Sequence, residues 1–201
     1  MLPKLLVTTL LSYGRTTLFF MVCLAAGACT PEDHAVQGGE YMLQENYDSA
    51  LPEYQLAVQA NPQDYASYNV LSLIVGKLND LASALRYVDT ALQINPRYTY
   101  AYVARGALQG QAGDSTACFA ALTRAIELDS MYVEAYFNRG FFHAQFHSNI
   151  RAIADFRQTI ELAPTDYAAY YHLGRLLLQQ GDRQEGCWHV AKALAIMKGL
   201  S

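Results

Sequence analysis

His143 and His147, in the segment HAQFH, stand four residues apart, which places two imidazoles on one helix face in the geometry of many metal-binding pairs. A zinc hydrolase built on such a helix carries a glutamate beside the first histidine. Ala144 occupies that place, and no third ligand lies nearby in the chain. Cys187 and His189 bring a thiol close to an imidazole, but no nucleophile elbow, phosphate loop or paired-carboxylate motif accompanies them. An enzyme using His143 and His147, or Cys187, is therefore the weaker reading. The expectation is a protein without catalytic residues, metal site or cofactor.

Cys29 carries a different chemistry. It ends a segment with only two charges, Lys4 and Arg15, and the thirteen-residue apolar run TTLFFMVCLAAGA precedes it. That run is too short to span a bilayer, which takes about 20 apolar residues. A positive start, a short apolar stretch and small residues before a seam form the pattern of an export signal over residues 1–28. AAGAC resembles the lipobox of bacterial lipoprotein signal peptides. That resemblance implies cleavage before Cys29, lipidation of its thiol and attachment to a membrane of the bacterial cell envelope. Thr30 in the next place implies the outer membrane if the source is Gram-negative. A cleaved but unlipidated signal, giving a soluble secreted or periplasmic protein, and a retained anchor stay open. Cys118 and Cys187 belong to helices too far apart for a bond that needs Cα atoms within about 7 Å, so both should be free.

Hydrophobic residues make up 52% and charged residues 16% of the 201-residue chain, and the net charge is −4. This composition excludes a disordered chain and disfavours a nucleic-acid partner.

The elements that position these residues follow from an internal repeat. His34, Tyr68, Tyr102, Tyr136 and Tyr170 recur every 34 residues. Small residues follow at Gly38, Ser72, Gly106, Gly140 and Gly174, and again at Ala50, Ala84, Cys118, Ala152 and Gly186. Small residues at these two places let a pair of antiparallel helices approach closely. Pro62, Pro96 and Pro164 close three units, since proline cannot continue a helix. Gly113 and Gly181 mark turns within units. In the first unit Thr30 is the expected N-cap, with Pro31 at the first helical position and Glu32 and Asp33 at the positive end of the dipole. Taking Ser49 as a cap puts Pro52 in a first turn. His143 falls in a packing slot and His147 in a turn.

AYFNRG at 135–140 and AYYHLG at 169–174 resemble the start of the tetratricopeptide repeat (TPR), a helix–turn–helix unit. The resemblance covers everything after Cys29. It implies an all-α, right-handed solenoid of five 34-residue repeats at 31–64, 65–98, 99–132, 133–166 and 167–200. It also implies a protein-binding scaffold whose concave groove takes a peptide or helix. The groove positions carried over are Asn69, Val103, Phe137 and Tyr171, then Asn138 and His172, then Leu73, Ala107, Phe141 and Arg175. Ala35 and Gly39 stand where some relatives carry a carboxylate clamp, so a hydrophobic segment or amphipathic helix is the expected guest.

Two other surfaces stand out. Unit one has seven acidic residues and no Lys or Arg, either a solvated face or a dock for a basic partner. In helix B, Leu51, Leu85, Phe119 and Ile153, with Val58, Leu92, Ile126 and Ile160, fill two slots that face the following unit. Unit five repeats them as Cys187 and Leu194, with Ala191 and Trp188 beside them, and the sequence ends at Ser201. Either Trp188 folds back to cap the last pair, or Cys187, Trp188, Ala191 and Leu194 form an interface for a homodimer. Tyrosines cluster at the unit junctions, where packing and recognition are both open.

Overall fold

The computed structural model describes residues 30–199. The signal at 1–28 and the lipidation of Cys29 lie outside the described residues.

Among the described residues there are ten helices and no strand. They are α1 (Pro31–Leu43), α2 (Tyr47–Ala60), α3 (Tyr65–Lys77), α4 (Leu81–Ile94), α5 (Thr99–Gln111), α6 (Ser115–Leu128), α7 (Val133–Gln145), α8 (Asn149–Leu162), α9 (Tyr167–Gln179) and α10 (Arg183–Met197). Each odd-numbered helix pairs with the next to form one unit, its A and B helices. From the second unit on, successive A helices touch one another, while successive B helices stay further apart. The stack therefore curves with the A helices inside and the B helices outside.

Local chemistry explains the breaks. Thr30 and Asp33 form a reciprocal capping box at α1, with Pro31 at its start. Aspartates cap α3, α4, α6, α9 and α10 by accepting backbone N–H groups of the first turn. Every A–B turn closes through one left-handed residue. These are Glu45 (φ 55°), Asn79 (65°), Gly113 (84°), His147 (61°) and Gly181 (92°). After each, a backbone N–H reaches back five residues to the helix, as in Asn46 to Tyr41 at 2.9 Å and Ser148 to His143 at 2.7 Å. Sequence reading finds the two glycines but not the other three, because a non-glycine residue carries no outward mark of positive φ.

The same turn overturns the expected place of Pro52. The reach-back bond fixes Asn46 as the cap of α2, and its Oδ1 accepts the Ser49 N–H at 3.2 Å. Pro52 is therefore inside the helix, and the Asp48 carbonyl loses its usual partner.

The core is a chain of small clusters at unit junctions. Val88, Leu92 and Leu108 form one, Cys118, Leu122 and Phe142 the next, and Phe156, Leu173 and Leu177 another. Each unit thus depends on its neighbours, as expected for a solenoid. Close approach is enforced where α5 meets α7: a Cβ on Gly110 would lie 2.3 Å from the Phe142 ring.

Candidate binding surfaces

The inner surface becomes aromatic over its last two units. His172 on α9 stacks on Phe156 with ring centres 5.3 Å apart and planes 12° apart. Phe137 and Phe141 from α7 and Tyr171 from α9 meet its edge at 5.8, 5.8 and 5.6 Å. Phe141 stays 40% and Tyr171 46% exposed, so the cluster presents apolar area to solvent rather than burying it. Burial holds the His172 pKa below the ordinary histidine value, and Arg175 pushes the same way against Asp166. Five expected groove residues, Phe137, Phe141, Tyr171, His172 and Arg175, thus lie in one neighbourhood. The two amides do not join them. Asn69 is buried on α3 with no partner for its Oδ1, and Asn138 donates from Nδ2 to the Glu134 carbonyl of its own helix at 2.8 Å.

Tyrosines line one edge of the stack. Tyr65, Tyr98, Tyr100 and Tyr132 follow one another at ring separations of 4.8, 5.4 and 5.1 Å, running from the start of the second unit to the end of the third. Tyr98 and Tyr132 are half-buried and their phenol pKa values are raised, chiefly by burial. Tyr100 is 56% exposed.

At the far end, the slots that are buried or half-buried in earlier units are open: Cys187 is exposed and Leu194 is 47% exposed. Trp188 does not cover them. Its indole sits against Tyr170 at 6.2 Å and His189 at 4.8 Å and remains 57% exposed. Pro52, Arg86, Ala120 and Ala154, its equivalents, are all exposed, so this position faces outward in every unit. Ala191 is likewise exposed.

The two histidines of HAQFH are separated by the turn. His143 is buried in a stack on Phe119, with ring centres 4.0 Å apart, whereas His147 is the left-handed turn residue. Among the described residues no three His, Cys, Asp or Glu side chains converge. The Cys118 thiol, pushed up to about 12 by burial, carries no nucleophilic character at neutral pH.

One polar cluster escapes sequence reading. Arg139 on α7 donates from Nε and Nη2 to the two carboxylate oxygens of Asp155 on α8, at 2.9 and 2.8 Å, and from Nη1 to Thr123 Oγ1 of α6 at 3.3 Å. Repeat alignment holds the signal: Arg139 and Arg105 stand in the slot filled by Leu71 and Leu173 in two other units. A charge in a packing slot requires a partner.

These repeats, paired helices and curvature define a class, the tetratricopeptide-repeat solenoid. The Tetratricopeptide repeat family model matches residues 37–99 and 151–186. Among curated proteins, no sequence matches the chain. Solved structures agree on the fold. The chain is 23% identical to a thermophilic TPR protein of Thermus thermophilus, with a TM-score of 0.71, covering 82% of this chain and 90% of that one. It is 20% identical to PilW, a widely conserved type IV pilus biogenesis factor, with a TM-score of 0.76 and coverage of 84% and 78%. For MamA protein the values are 21%, 0.66, 84% and 92%. The chain has the tetratricopeptide-repeat fold, and the family's model matches those two stretches of it.

Proposed function

We propose that this protein is a membrane-anchored scaffold that recruits another protein and performs no catalysis. The observation that supports this most directly is the aromatic cluster of Phe137, Phe141, Tyr171 and His172 on the inner A-helix surface, which suits a hydrophobic extended segment or an amphipathic helix. Exposed aromatic rings on a rigid support provide large contact area at low entropic cost. Lipid on Cys29 holds the solenoid at the membrane of a bacterial cell envelope, with α1 beginning two residues later. A homodimer through Cys187, Trp188, Ala191 and Leu194 belongs to the same proposal. Light scattering against Leu194→Asp reads it.

Affinity capture from membranes, followed by mass spectrometry, tests the central claim. Phe141→Ala with Tyr171→Ala should remove the captured partner while the helical circular dichroism is unchanged, since both side chains are exposed. Capture that survives this pair, and fails instead when the unit-one carboxylates are neutralised, replaces the groove with an electrostatic dock. Cys29→Ser should move the protein to the soluble fraction.

A further inference from the structure

The outer side of the fourth unit carries a cleft that the groove reading leaves unused. It lies between the B helices α6 and α8, with the A helix α7 as its floor, and has a volume of about 360 Å³. It exists because the B helices splay where the A helices converge. Phe119 and Ala154 give it apolar walls, and Arg139, His143, Arg151 and Asp155 provide the polar groups.

The charges in it are unequally committed. Arg139 and Asp155 satisfy each other through two hydrogen bonds, so neither offers net charge to a guest. Arg151 is exposed and forms no ion pair among the described residues. His143 is only 6% exposed, and neither ring nitrogen has a hydrogen-bond partner there. Nδ1 has none, and Nε2 stands 3.9 Å from Asp155 Oδ2, beyond hydrogen-bond reach. The imidazole, unpartnered at its buried Nδ1 and out of hydrogen-bond reach of Asp155 at Nε2, lies beside an uncommitted guanidinium, so the cleft has a donor and a positive charge with no acceptor of their own.

The neighbouring surface says what the anion is attached to. Ala154 also borders a second cleft of about 500 Å³, lined by Ile150, Ile153 and Leu177. Its cation, Arg157, is already held by Glu185 at 2.9 Å. Ile150, meanwhile, is 81% exposed. One cleft thus offers an unpaired cation, and its neighbour offers the exposed Ile150 side chain beside Asp182 and the Arg157–Glu185 pair.

We propose that the α6–α8 cleft binds the carboxylate of an acidic side chain on a partner protein, with an adjacent apolar residue of that partner covering Ile150. Arg151 supplies the charge and His143 an N–H donor, a pairing stronger than a neutral hydrogen bond. This surface is independent of the inner groove, so a partner held there can be engaged from both sides.

The probe is the blocked peptide acetyl-Leu-Glu-Leu-amide, titrated into the protein while the His143 Cε1 proton is followed by NMR. Acetyl-Leu-Gln-Leu-amide is the control. A saturable shift is expected with the glutamate peptide, with affinity at least about tenfold weaker for the glutamine peptide and for Arg151→Ala. Phe141→Ala with Tyr171→Ala should leave the titration unchanged. Equal response to the two peptides, indifference to Arg151→Ala, or no shift overturns the proposal. Loss of the response in the groove variant does too, because it places the peptide in the groove.

Discussion

Arg139 and Asp155 close a bidentate ion pair between the two helices of the fourth unit, with the Asp155 side chain 8% and the Arg139 side chain 22% exposed. Such a pair adds little over an apolar pair of equal volume, yet leaving one partner alone is costly. Asp155→Ala should therefore destabilise the protein by roughly 3 kcal/mol in urea unfolding. Adding Arg139→Met should recover most of that loss. A double variant as unstable as the single one would mean that the pair contributes net stability.

The left-handed turn residues lead to the opposite kind of change. His147 and Glu45 hold φ of 61° and 55°, where an L side chain is strained and glycine is not. His147→Gly and Glu45→Gly should each stabilise by about 0.5–1 kcal/mol, the strain relieved less the extra entropy of an unfolded glycine. Thermal unfolding midpoints would show it.

These turns also mark where sequence reading ends. The 34-residue register, the proline stops and the Thr30 cap are legible because each depends on neighbours in the chain. The aromatic cluster on the A helices is legible for the same reason, since Phe137, Phe141 and Tyr171 follow from repeat position. Asn138 does not, because an amide on a helix can turn back onto its own backbone, as it does to Glu134. The Arg139–Asp155–Thr123 cluster joins three helices, and only packing reveals which polar groups meet.

Mild acid should weaken the fold through two histidines. Burial holds the His143 pKa below the ordinary value; Arg139 and Arg151 push the same way, against Asp155. His172 is lowered by burial and by Arg175, against Asp166. A group whose folded pKa is depressed binds its proton first in the unfolded chain, so stability is full above the unfolded value near 6.5 and declines as pH falls through it. Asp33, Asp80 and Glu185, whose pKa values are lowered by hydrogen bonds, enter only at lower pH. The unfolding midpoint should drop between about pH 7.5 and 5.5. His143→Gln with His172→Phe should flatten that dependence, and an unchanged slope would remove these two histidines as its cause.

Leu92 and Leu194 occupy the same slot of helix B in different units and should respond differently to the same change. Leu92 is 8% exposed, packed into the cluster that includes Leu108 and Ala104, because α5 covers it. Leu194 is 47% exposed on α10, where no described helix lies over it. A carboxylate at position 92 would be buried without a partner, so Leu92→Asp should cost at least about 3 kcal/mol. Leu194→Asp keeps its charge in water and loses only partial apolar contact, so the cost should stay under about 1 kcal/mol. Because each unit leans on its neighbours, the first change should also broaden the unfolding transition as the array divides around the second unit, whereas the second should shift it without broadening. Equal losses for the two variants would mean that Leu194 is covered in solution, and light scattering on the unmodified protein would then reveal the second copy that covers it.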